Sequence, residues 1–160
     1  MNRDVHTEIP AAPRPAAPLP AAPLPATAIH LMVRADAELM AAQFSSEAGE
    51  RFVHAHLAGL RAAAAVLAVR GRPTGRRALR TVWEMLAAVA PEVETWAAYF
   101  AAGAASRRAV EAGRSDAVDA ARAEEVLCAA EDFVDAVRAL LDAATGTGVQ
   151  RRTLLAAQAS

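Results

Sequence analysis

Seven of the nine prolines in this 160-residue chain stand between positions 10 and 25, in the run PAAPRPAAPLPAAPLP. Proline fixes φ and removes a backbone donor, so neither helix nor strand runs through such a stretch, and it reads as a semi-extended spacer of polyproline II character. Residues 1–27 are therefore expected to form a disordered Pro/Ala-rich tail, with the folded unit spanning 28–144. After Pro25 only Pro73 and Pro91 remain, so most of the chain is open to long helices.

Composition selects the same class. Alanine, the best helix former, accounts for 45 residues, while aromatic residues make up 4 % of the chain. A sheet protein leans on β-branched and aromatic side chains, so an all-α fold is expected. The single cysteine excludes an internal disulfide framework and a Cys-built zinc site, and it reads as a chain of the reducing cytoplasm. The opening MNRDVHTE mixes acidic and basic residues and the proline run interrupts any apolar core, which argues against a secretory signal. No membrane span is expected, since no stretch approaches ~18 uninterrupted apolar residues.

Apolar residues recur at helical spacing from Ala28 onward and mark five helices. The first, about 28–43, carries Ile29, Met32, Val33, Leu39, Met40 and then Phe44. Ser45 or Ser46 offers an N-cap for the second, which runs to Arg70 before Gly71 and shows Phe52, Val53, His56, Leu60, Ala63, Ala64 and Leu67. The third is expected over about 76–89. Pro91 opens the fourth, which bears Val93, Trp96, Ala97, Phe100 and Ala104. The fifth starts at Ser115 or Asp116, ends at Ala144, and has the clearest apolar series, from Val126 to Leu141. An up-and-down bundle buries these stripes with short links, and residues 145–160 read as a frayed tail.

The net charge of −1 conceals a segregated distribution. Positions 70–80, RGRPTGRRALR, hold five arginines and no acid, whereas positions 115–144 hold eight acids against Arg122 and Arg138. Arg76, Arg77 and Arg80 would fall at the start of the third helix, where the dipole disfavours cations. Something negative should therefore sit near them: a phosphate of RNA or a nucleotide, or the acidic face of the fifth helix in the same or another chain. Arg72, Arg76, Arg77 and Arg80 are the candidate phosphate-binding set.

Other chemistry finds little support. No HExxH, GxSxG, P-loop or GxGxxG pattern occurs, and neither a metal site nor a cofactor is expected. His54 and His56 point to different sides of a helix. His56 lies within the apolar stripe and reads as a partly buried core histidine with one hydrogen bond, and Cys128 reads as a small packing residue.

The segments ERFVHAHLAGLRAAAAVLA (50–68) and TVWEMLAAVAPEVETWAAYFAAGAASRRAVEAG (81–113), with Val82, Trp83, Glu84, Pro91, Trp96 and Phe100 in that order, resemble the small SAV-type HEPN-domain proteins of actinobacteria. The resemblance covers about 28–144. It implies a five-helix HEPN bundle that often dimerises, and active members of the wider superfamily cut RNA without metal, using an Arg and a His across a dimer interface. Arg51 and His56 match that spacing. In active relatives the pair lies on a late helix, whereas here the second helix carries both and no histidine follows position 56. The leading expectation is a non-catalytic HEPN-type binding module that forms a homodimer and binds RNA, a nucleotide or a protein partner. The alternatives are a ribonuclease using Arg51 and His56, or a purely structural bundle.

Overall fold

The longest apolar stretch without a proline becomes the axis of the molecule. The computed structural model describes residues 22–75 and 81–146, and within them five helices and no strand are present. These are α1 (Ala26–Phe44), α2 (Ala48–Arg70), α3 (Val82–Val89), α4 (Glu94–Glu111) and α5 (Ala120–Ala144). Helix α2 packs against all four others. It is long and apolar enough to cross a membrane, yet its apolar surface is spent on those neighbours. The expected tails lie largely outside the described residues, at 1–21 and 147–160.

Several boundaries differ from the sequence reading for local reasons. Helix α1 starts at Ala26, two residues early, because Pro25 with ψ 140° ends the extended lead-in and can occupy the cap position. Leu24 already packs on the core, so the folded unit begins before residue 28. Glu47, not a serine, occupies the N-cap position of α2 and makes no side-chain capping bond there, while the Ser45 hydroxyl donates back to the Ala41 carbonyl at 2.8 Å. Gly71 closes α2 with φ +83°, as expected of a residue without a Cβ. Asp119 accepts from the Arg122 amide at 2.7 Å and caps α5, leaving Ser115–Ala117 as a separate 3₁₀ turn.

Helix α3 carries the most consequential correction. It begins at Val82, where Thr81 and Glu84 form a reciprocal capping box. The box pairs the Thr81 and Glu84 amides and starts the helix after positions 76, 77 and 80, where its first turn was expected. Arg76, Arg77 and Arg80, and with them the expectation of a nearby anion, lie outside the described residues.

The first helix buries only part of the stripe expected of it: Met32 and Leu39 pack against the core, and the other members do not. Ala28, Ala35 and Ala42, seven apart, are its buried residues, while Ile29, Val33, Met40 and Phe44 face away from the bundle. Small side chains explain the choice: buried Ala55, Ala58, Ala62 and Ala65 of α2 let the two backbones approach closely, and bulkier residues in that seam would hold them apart. Glu38 of α1 clamps the pair, accepting from His54 Nδ1 at 2.8 Å and from Arg61 at 3.0 Å. Helix α5 buries its long series from Val126 to Leu141 as expected, but Cys128 lies on the exposed side of that helix and is not a packing residue.

Candidate functional site

The two candidate residues of α2, five apart, are rotated by about 140° around the helix axis and serve different seams. Arg51 turns toward the start of the helix and toward α5. Its guanidinium donates to the Ser45 carbonyl at 2.9 Å and pairs with Glu124 at 3.2 Å. His56 turns toward α3 and α4 and is 1 % exposed.

His56 sits where α2 and α4 cross, and the crossing is built from reciprocal glycines. A Cβ on Gly103 of α4 would lie 3.1 Å from the His56 ring, and one on Gly59 of α2 would lie 3.0 Å from the Phe100 ring. Each helix thus offers a glycine hollow to the other's ring, which is the role of these two residues. Phe52 (6.1 Å between centroids), Trp83 (5.7 Å) and Phe100 (5.8 Å) surround the imidazole. Its Nε2 lies 2.8 Å from the Phe100 carbonyl oxygen. A carbonyl only accepts, so Nε2 carries the proton and the neutral ring leaves Nδ1 as a bare acceptor. That Nδ1 is buried and has no partner. Burial pushes the His56 pKa below its ordinary value; the Phe100 hydrogen bond opposes this, and the charge of Arg107 adds to it.

Arg107 of α4 is paired with Glu111 at 2.8 Å, and the Glu111 charge opposes the effect of Arg107 on His56. Sequence reasoning passed over Arg107 because it stands 51 positions beyond His56. No local pattern in the sequence links the two.

The arginine-rich segment is described only at its start. Arg70 bonds the Val89 carbonyl at 3.0 Å and pairs with Glu92. Arg72 is exposed and lines a hollow of about 480 Å³ together with Pro25, Thr27, Leu31, Leu67 and Val82. The acidic face of α5 is partly engaged by other residues: Glu124 by Arg51, Glu125 by Arg122 and Tyr99, Glu131 by Gln43, and Asp135 by Arg138. Among the described residues no group of three or more His, Cys, Asp or Glu side chains is placed to hold a metal ion.

A family model for SAV-like HEPN domains matches residues 42–138. The chain belongs to the HEPN family. The match spans the end of α1 and nearly all of α2–α5, so it includes the His56 crossing and the whole arginine-rich segment. No curated protein and no solved structure matches the chain.

Proposed function

We propose that this HEPN chain is a non-catalytic helical binding module that associates with itself and holds an anionic partner, RNA or a nucleotide, at its arginine-rich end. The observation that carries the association reading is the row of large apolar side chains that α1 turns to solvent, Ile29, Val33, Met40 and Phe44. Monomers rarely leave such a row uncovered, and rows of this kind mark interaction surfaces.

The state of His56 supports the non-catalytic reading. A general acid or base must come within hydrogen-bonding distance of the proton it moves, and here Nε2 is committed to the Phe100 carbonyl while Nδ1 is enclosed. Arg51 faces a different seam and is committed to Glu124 and Ser45. Arg72, exposed beside its hollow, supports an anionic partner together with the arginines that follow it in sequence.

Two measurements test this. The purified chain incubated with single-stranded RNA should leave it intact, and cleavage that disappears in Arg51→Ala would overturn the non-catalytic reading. Polynucleotide binding measured at two salt concentrations should weaken steeply with salt, and should weaken at both when Arg72, Arg76, Arg77 and Arg80 become alanine. No binding, or binding indifferent to those changes, removes the anionic partner.

A further inference from the structure

Helix α1 is apolar on two faces, and among the described residues the bundle covers only the one that carries the buried alanines with Leu31, Met32 and Leu39. The other face exposes Ile29 (48 %), Val33 (61 %), Met40 (60 %) and Phe44 (82 %). At about 100° per residue these four fall within about 60° of one another, and exposed Ala37 fills the gap between Val33 and Met40. The result is one continuous apolar row along nearly the whole helix.

The two edges of that row differ in charge. On the α5 side, Asp36 and Gln43 meet Glu131, Asp135 and Arg138: Arg138 bonds Asp36 at 2.7 Å and Asp135 at 2.6 Å, and Gln43 donates to Glu131 at 2.7 Å. Three carboxylates there face a single guanidinium. On the opposite edge stand His30 and Arg34, both exposed, while Glu38 beyond them is already held by His54 and Arg61.

We propose that this row docks a second copy of the chain, with the two α1 helices side by side and parallel about a two-fold axis. The proposal rests on the self-association reading above and supplies its surface and geometry. A closed dimer needs a self-complementary patch. A two-fold axis along the helix direction sets each copy's Arg34 edge against the other's Asp36–Glu131 edge, so opposite charges line both sides of the apolar seam. An antiparallel pairing sets the acidic edge against itself.

Sedimentation velocity on the full chain should give a dimer, and Phe44→Glu and Met40→Glu should each give a monomer with an unchanged circular dichroism spectrum, since both positions are exposed. Orientation is read in a Cys128→Ala background with a short bis-maleimide. Parallel pairing sets position 33 against 33 and 40 against 40, so Val33→Cys alone and Met40→Cys alone should both cross-link. Cross-linking confined to a mixture of the two proteins shows an antiparallel pair and overturns the geometry. A dimer that survives both glutamate variants overturns the docking surface while leaving self-association intact. A monomer at every concentration overturns both, including the case in which the chain's own residues 1–21 or 147–160 cover the row.

Discussion

Acid should weaken this fold through one buried imidazole. Among phenylalanine and tryptophan rings, His56 is pushed below its ordinary pKa of 6.5 mainly by burial, with the Phe100 carbonyl opposing and Arg107 adding to the depression. In the unfolded chain the same ring takes up its proton as pH falls through its ordinary value, while the folded chain resists doing so. The unfolded state then binds more protons, so stability is full above pH 6.5 and is lost as pH falls toward the depressed folded-state value. The limiting slope for one proton is about 1.4 kcal/mol per pH unit. With a urea m-value of about 1–3 kcal/mol/M, this corresponds to a midpoint shift of roughly 0.5–1.4 M per unit. Glu38, held below its ordinary 4.5 because the His54 and Arg61 hydrogen bonds outweigh burial, acts only at lower pH and leaves this window clear. Urea unfolding at pH 7, 6 and 5 should therefore show a falling midpoint at constant m. His56→Gln keeps a donor for the Phe100 carbonyl but cannot titrate, so its midpoint should fall less steeply. Equal slopes in the two proteins would refute the assignment.

Two further substitutions test the packing that positions the site. Gly103→Ala should destabilise by about 1–3 kcal/mol, although alanine in a helix interior is otherwise favoured by about 1 kcal/mol, because its Cβ meets a His56 ring with no room to retreat. A stabilised variant in thermal melts would show that the crossing can open. Ala35→Leu should cost about 1–3 kcal/mol or more by forcing α1 off α2, whereas Val33→Ala, measured in the monomeric Phe44→Glu background, should stay within about 0.5 kcal/mol. Comparable losses at both positions would contradict the orientation of α1.

Much of the bundle was legible because its signals are local. Proline placement confined helices to the chain beyond Pro25, Gly71 marked the end of α2, and the series from Val126 to Leu141 gave α5 its buried face. His56 was readable as a core histidine from its neighbours at helical spacing, and its hydrogen bond has the expected count of one. The start of α3 was less accessible, since the helix-forming residues from Arg76 onward invite an early start and the Thr81–Glu84 capping box sets it at Val82.

What the sequence determined by itself is the set of helices and where they end, because propensity and breakers act over a few residues. Tertiary structure decided which way α1 faces. On α1 both the alanine row and the row of larger apolar residues are amphipathic by spacing, and the choice belongs to α2, whose own alanines reward close approach and exclude bulk. The pairing of His56 with Gly103 and of Phe100 with Gly59 follows from the same cause: a helix crossing brings together residues 41 to 47 positions apart, and no local pattern encodes that contact.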